Sequence, residues 1–598
     1  PEEVEKVREK ILPVRIRKYI EPGVVRSLIH YFWVSKGVSD IRMVYDGTGC
    51  GLNDFIWAMH FGLPTVRHTL RSMLPGYYQC DMDVGEMFLN FMLHEMLREL
   101  SGVDISSLRS DDPLFERARR TSYERWCRNW MGLKDSPVRS IAHMTRIKHI
   151  AYGDRKVRTN PFHWERVVFN LPGAAGYRPD LPWVMKIRYD GHLACEVYVY
   201  VDDGRATGHS RWICWKAISR FSSVCADKGV QDATRKRTCP RLDPDQWAGT
   251  MLHADGGELV GLVSDKKWEK TKAKIDELDQ LVRLADERKD STSQERSKIP
   301  LKPLLSIRGY LIYVTRTYDW MNPYLKGLHN TISGWRPDYV DGWKLTGREA
   351  MMFRRAQQDD QSDEEDEAQG PPEMVEVQDR LRRDIRVLKE LTSPAEPPRR
   401  KYRSRRILVA LHLPGDASGQ GFGSALITMT GIEYESGTWE VVWSEKSSNF
   451  READNLVRKI EDLVERGLRG AEIFIYTDNF VFESVYYKGY SKSSEDLSDV
   501  ILRLYQAARK GDLILHVIWI AGTRMKAMGV DGLSRGDLVD GMMAGMDPLS
   551  FVPVAQGADE RSRGRVSTWI RSWWQEPGQT GRAAGPWAGA PLVEVTKD

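Results

Sequence analysis

Asp202 and Asp203 stand side by side, directly before Gly204 and directly after the run Cys195-Glu196-Val197-Tyr198-Val199-Tyr200-Val201. β-branched and aromatic residues leading into a turn-prone glycine predict a hairpin with both carboxylates at its tip. Adjacent acids at a turn are ordinarily just solvated, so the pair identifies nothing alone. Its chemical capacity is nevertheless specific, because carboxylate oxygens are the hard, anionic ligands that hold Mg²⁺. Other acids recur where predicted elements end or begin. Asp416 follows a strand-like run at 407–413, Asp478 follows another at 472–476, Glu452 opens a helix read over 451–468, and Asp531 comes after a run at 513–520.

The elements that must carry these acids fall into a mixed α+β and α/β, multidomain pattern. Downstream of residue 406, strand-like runs at 407–413, 422–429 and 439–443 precede the helix at 451–468, whose buried stripe is Leu456, Ile460, Leu463 and Val464. A strand, two helical segments and the strand at 513–520 follow, an order that fits an RNase H-like fold. The sharpest break lies between Gln357 and Arg406. Residues 359–367 hold seven acids in nine positions and lead into Gly370-Pro371-Pro372, a composition that reads as a flexible linker. Val375, Leu381, Ile385, Leu388 and Leu391 predict a short amphipathic helix ending near Pro394, and residues 399–406 then place six basic residues in eight. That basic run reads equally as a nucleic-acid contact, a nuclear-localisation signal or a solvated face. Residues 266–284 predict a charged amphipathic helix, and the tail after Asp540, with Trp569, Trp573 and Trp574 before a Gly/Pro/Ala-rich end, reads as partly disordered.

Composition bounds the function without naming it. A chain of 598 residues, 41% hydrophobic, can bury several cores, which excludes a small binding module. Lys and Arg number 88 against 84 Asp and Glu, so net charge does not announce a polyanion partner. Seven scattered cysteines, never spaced Cys-x-x-Cys, speak against a disulfide framework or a structural zinc site. No apolar run reaches membrane-spanning length and no signal peptide opens the chain, so the expectation is an intracellular protein of the cytoplasm or nucleus, with no membrane partner. The start at Pro1 reads as a piece cut from a longer polyprotein.

Taken together, the motifs resemble those of retroelement reverse transcriptases joined to a ribonuclease H domain, over roughly residues 30–540. Tyr200-Val201-Asp202-Asp203 resembles the Tyr-x-Asp-Asp box, and residues 83–94, with Asp83 followed five positions later by Phe88 and closing on His94, resemble the first catalytic box. Met131-Gly132-Leu133-Lys134-Asp135-Ser136-Pro137 resembles the Gly-x-x-x-Ser-Pro box, with Met131 where many relatives carry Gln or Phe. Ile41-Arg42-Met43-Val44-Tyr45-Asp46 with Leu52-Asn53 resembles the fingers strand, residues 229–236 resemble the next box, and residues 305–311 the thumb. The resemblance implies a right-hand polymerase of fingers, palm and thumb followed by an RNase H-like domain. Fingers and palm fall at 1–265, a thumb or connection-like region at 266–356, an acidic then basic linker at 357–405, the RNase H-like domain at 406–540 and the tail at 541–598.

What the resemblance implies about chemistry is equally definite. Asp83, Asp202 and Asp203 form one catalytic and metal-binding set; Asp416, Glu452, Asp478 and Asp531 form the second, each around two Mg²⁺ ions for which Mn²⁺ can substitute. Lys36 and Arg42 would offset the triphosphate charge, Met131 and Gly132 would back the nucleotide, and Lys236 would donate a proton to pyrophosphate. Phe88 would lie under the incoming sugar and exclude a 2′-hydroxyl, favouring dNTPs over rNTPs. The partners implied are an RNA template, a DNA primer, the RNA/DNA hybrid and dNTPs. The loop before Asp531 (Ala521-Gly522-Thr523-Arg524-Met525) lacks the His of many relatives, and with Trp519 to Gly522 it resembles long-terminal-repeat and DIRS-type retrotransposons. Aspartic-protease readings of Asp46-Gly47-Thr48-Gly49 or Asp416-Ala417-Ser418-Gly419 fail for want of Asp-Thr/Ser-Gly. A dinucleotide loop at residues 419–423 lacks its helix, and an RNA polymerase is disfavoured by Phe88 and the tethered second site. A degenerate copy that binds nucleic acid without catalysis is the remaining alternative.

Overall fold

Residues 195–208 form the expected hairpin, its first strand rich in β-branched and aromatic residues and its second almost wholly buried. Its strands, Glu196–Tyr200 and Asp203–Gly208, are antiparallel, and Tyr78–Asp83 pairs along the other edge of the second strand. The three-stranded sheet therefore has Asp203–Gly208 at its centre. Helices Ser136–Tyr152 and Arg211–Asp227 contribute Met144, Ile147, Ala217, Ile218 and Phe221 to a core shared with Cys80, Met82, Val197 and Ala206 of the sheet. Pro137 in the first turn starts the former helix where its missing N–H costs nothing. His30–Lys36 and Asp40–Asp46 pair as a second antiparallel hairpin, with Arg42 opposite Val34.

In this computed structural model the described residues are 2–36, 40–59, 61–105, 123–170, 177–243, 246–254, 256–288, 296–335, 371–404, 409–428, 431–537, 552–557, 562–571 and 594–596. The chain divides into two compact units. One comprises Pro1–Val167, Lys186–Ala248 and Thr596–Asp598, the other Val168–Met185 and Gly249–Val595.

The second unit contains a helical core and a mixed sheet. Asp265–Glu287, Leu301–Val314 and Asp379–Leu391 bury Ile275, Leu278, Leu304, Ile307, Leu381, Ile385 and Leu388 against one another, apolar stripes meeting at helical spacing. The sheet runs in the order Ile514–Trp519, Glu472–Thr477, Ala410–Ala417, Gly421–Ile427, Gly431–Trp439, Ser562–Arg571, Val552–Gly557. Its first three strands are parallel and the rest antiparallel. Ser448–Glu465 lays Leu456, Val457, Ile460, Leu463 and Val464 on this sheet beside Leu497, Val500, Ile501 and Leu504 of Glu495–Gly511.

Several sequence-based expectations are corrected. Val375 is not helical: Met374–Glu376 is a strand paired with Lys298–Pro300, and the helix begins at Asp379. The strand expected at 439–443 is instead Gly431–Trp439, followed by a helical turn at Val441–Ser444. Residues 371–404 pack into the second unit. Arg400–Ser404 is a strand paired with Glu258–Leu262, so the basic run is ordered by partners far away in sequence. Arg400 pairs with Asp319 at 2.6 Å and Lys401 with Asp512 at 3.2 Å. The acidic stretch 359–367, Arg405 and Arg406 lie outside the described residues. Within the tail expected to be partly disordered, Val552–Gly557 and Ser562–Arg571 form strands, with Trp569 opposite Glu433; Trp573 and Trp574 lie outside the described residues. Among the described residues, no helix is long and apolar enough to cross a membrane.

Candidate active sites

The register of the three-stranded sheet sets Asp203 directly opposite Asp83 on one side and Tyr200 on the other. Only Val201 and Asp202 then remain to make the turn, and Val201 adopts φ 56°. A β-branched residue in the left-handed region is strained by about 1–3 kcal/mol and persists only where its surroundings fix it. Here the Val84 amide donates to Asp202 O at 2.8 Å, and the Trp247 indole donates to Asp203 O at 3.1 Å. Beneath the acids, the buried Arg205 clamps Asp81 through two hydrogen bonds of 2.6 and 2.7 Å.

Cations meet these carboxylates. Lys236 Nζ lies 2.7 Å from Asp83 Oδ2, on a turn anchored by the Ala233 amide donating to Asp83 O at 2.9 Å. Burial raises the Asp202 carboxyl above the usual range, the neighbouring Asp83 charge adds to this, and Lys236 and Arg42 oppose it. Burial, Asp202 and Asp83 push Asp203 up to about 6. Arg42 is thus within electrostatic reach of the hairpin tip. Lys36 lies at the end of its strand, with its side chain outside the described residues. Phe88 is half-buried in a 3₁₀ turn, Met87–Asn90, against the core shared by the three-stranded sheet and its helices. Met131 is exposed, whereas Gly132 sits at φ 112°, where a Cβ would come 1.8 Å from Tyr45 O, so only glycine fits.

The second set gathers from distant positions. Asp416 and Asp478 lie at or just beyond the C-terminal ends of the parallel strands Ala410–Ala417 and Glu472–Thr477, and Glu452 lies in the first turns of Ser448–Glu465. One oxygen from each of the three lies within 4.8 Å of the others, and Asp416 is buried. Three hard donors converging this closely fit a divalent cation. Burial, with Asp416 and Asp478 adding to it, pushes Glu452 up to about 7, while the Ser448 hydroxyl at 2.6 Å favours its charged form. Burial likewise raises Asp416 and Asp478. Ser534 Oγ donates to Asp416 Oδ2 at 2.8 Å. Asp531 stands outside the three-acid group and pairs with Arg535 at 2.8 Å.

Three positioning residues escaped the sequence reading. Asn90 donates to Gly85 O at 2.8 Å and accepts from the Gln231 amide at 2.9 Å, tying the loop after Asp83 to the segment that bears Lys236. Asn53 donates to Gly132 O and accepts from the Lys134 amide, each at 2.8 Å. Asn455 donates to Asp416 O at 3.0 Å and Gly423 O at 2.9 Å. The available signal was an amide inside or beside each catalytic box, in elements too apolar to leave it unpaired.

Fold and sites define a mixed α/β, multidomain chain in which, among the described residues, Asp416, Glu452 and Asp478 form a converging three-acid group, whereas Asp83, Asp202 and Asp203 are neighbours at a hairpin without converging as closely. No protein-family model matches it, and no curated protein matches it. Among solved structures it is similar to the foamy viral protease-reverse transcriptase dRH in complex with double-stranded DNA, with TM-score 0.41 and 11% identity over 86% of this chain and 69% of that one. It is also similar to the foamy viral protease-reverse transcriptase in complex with RNA/DNA hybrid, with TM-score 0.41 and 11% identity, and there it spans 53% of the other chain.

Proposed function

We propose that this chain is an RNA-directed DNA polymerase with ribonuclease H activity, copying retroelement RNA into DNA and degrading the RNA strand of the hybrid. The observation that carries the reading is convergence. Asp83 and Asp203 come from boxes 120 residues apart yet are exact cross-strand partners beside Asp202, and Asp416, Glu452 and Asp478 meet within 4.8 Å.

Asp83, Asp202 and Asp203 would hold Mg²⁺ in the first site, and Asp416, Glu452 and Asp478, with Asp531 completing the set, in the second. Bound Mg²⁺ supplies Lewis-acid polarisation and charge neutralisation of the phosphoryl oxygens. The protein's own groups do the rest. Arg42, within electrostatic reach of Asp202, would offer the charge that a triphosphate needs, and Lys36 would add a second cation. Lys236, which pairs with Asp83, would protonate a leaving phosphate. Phe88 would close the space a 2′-hydroxyl requires, while Met131 and Gly132 would form the surface behind the nucleotide, where the glycine lets backbone approach closely. The short helix Gly522–Ala527 before Asp531 replaces the His-bearing loop of many relatives, in line with a long-terminal-repeat or DIRS-type element.

Primer extension on an RNA template with dNTPs and Mg²⁺, followed by RNA-strand cleavage in the product, tests the proposal. A pure preparation that binds hybrid but neither extends nor cuts would make the chain a nucleic-acid-binding relative without catalysis.

A further inference from the structure

Beside the second acid cluster, two large aromatic side chains face outward. Phe480 is 65% exposed and Trp519 47% exposed. Single exposed aromatics are common on protein surfaces and mean little alone. Their placement distinguishes these two. Thr477 and Trp519 are register partners at the ends of adjacent parallel strands, and Phe480 follows Asp478 by two residues at the start of Phe480–Lys488.

Trp519 is exposed yet held. Its indole N–H donates to Asp478 O at 3.0 Å, and its backbone amide donates to Glu483 Oε1 at 3.2 Å. A Cβ on Gly522 would lie 3.0 Å from Asp478 Oδ2, so the chain after Trp519 passes directly against the carboxylate. An aromatic surface fixed before binding loses little conformational entropy when a partner packs on it. Exposed Arg524 and Lys526 on Gly522–Ala527 give the same corner positive charge, complementary to a polyanion.

We propose that Phe480 and Trp519 form a nonpolar step beside Asp478 that packs against the sugar and base of a hybrid nucleotide next to the scissile phosphate. This rests on the ribonuclease H reading and adds a substrate contact to it. The step sets affinity for the RNA/DNA hybrid, while the acids carry the chemistry, because stacking and sugar packing are made with bound and reacting substrate alike.

The test is steady-state cleavage of a short, blunt-ended, end-labelled RNA/DNA hybrid by the full chain in Mg²⁺. Phe480→Ala should raise KM about tenfold with kcat changed less than about threefold, the pattern of lost uniform binding. Phe480→Tyr should restore KM, and primer extension should not change. Trp519→Phe, which keeps a ring without the N–H, should fall between parent and Phe480→Ala. An unchanged KM in Phe480→Ala, or a fall in kcat at constant KM, overturns the step while leaving the nuclease reading intact. Absence of cleavage by the parent chain overturns both.

Discussion

The two carboxylate clusters solve the same electrostatic problem in different ways. At the hairpin, the acids sit on neighbouring antiparallel strands and a strained turn, with Lys236 bonded to Asp83 and Arg42 in reach of Asp202. In the sheet of the second unit, three acids converge at strand ends and a helix start. The effects that set Glu452 are burial, hydrogen bonds and like charge, with no cation among them, and it rests near 7. Both sites raise their acids by burial and like charge, but at the first the protein's own cations oppose the rise, whereas none is among the effects on Glu452. A metal entering either site competes with protons on the raised carboxyls, and one entering the first competes with Lys236 as well.

The largest effects should come from single acids, and they should separate the sites. Asp83→Asn or Asp202→Asn should lower primer extension at least about 10²-fold, equivalent to roughly 3 kcal/mol of barrier, and leave cleavage of a preformed hybrid near parental. Glu452→Gln should do the reverse. Loss of both activities in either variant, with the fold intact by circular dichroism, would break the comparison.

Next is the steric filter. Phe88→Ala should raise the rNTP to dNTP incorporation ratio by about tenfold or more, read by competing nucleotides in single-turnover extension. An unchanged ratio returns Phe88 to a packing role.

A smaller effect follows from the buried acids. A carboxyl whose folded value is raised binds its proton more tightly in the native state, so native stability declines as pH climbs from its ordinary value of about 4.5 to about 7 and levels off above. Without metal, the unfolding temperature should fall over that window. Mg²⁺ should raise it more at pH 8 than at pH 6, and Glu452→Gln should flatten the dependence. Scanning fluorimetry checks all three.

The smallest effect sharpens the contrast in counter-cations. Beside the rate lost with the proposed proton donor, Lys236→Ala should move the acid limb of the extension–pH profile upward by about one pH unit or less, since Lys236 is half-exposed and screened. Arg535→Ala should move the cleavage profile less, because Arg535 pairs with Asp531 outside the three-acid group.

The acids were legible in the sequence because each lies inside a short, local pattern: an alternating run closing on Asp202-Asp203, or an apolar run closing on Asp478. What could not be read was decided by distant partners. The residues 399–406 look like a free basic patch because basicity is local, while the Asp319 and Asp512 carboxylates that pair with Arg400 and Lys401 lie about 80 and 110 residues away. Val375 fits a helical stripe by spacing, but its backbone pairs with Ile299, a match that spacing within one segment cannot reveal. Asn53 and Asn90 were invisible as positioning residues for the same reason: an amide's role is set by which carbonyl arrives beside it.

The sheet of the second unit also borrows side chains from early in the chain. Tyr177 donates to Glu472 at 2.9 Å and packs edge-on to Phe474, and Trp183 lies 5.9 Å from Phe474 and 5.2 Å from His516, ring centre to ring centre. During ribosomal synthesis those two residues emerge some 300 positions before the strands they cover. They must wait, unpaired with their eventual neighbours, until residues 472–519 have been made. A fragment beginning at residue 371 would carry the three-acid group and Asp531 yet leave Phe474 and His516 uncapped, and should aggregate more readily than one co-expressed with residues 168–185.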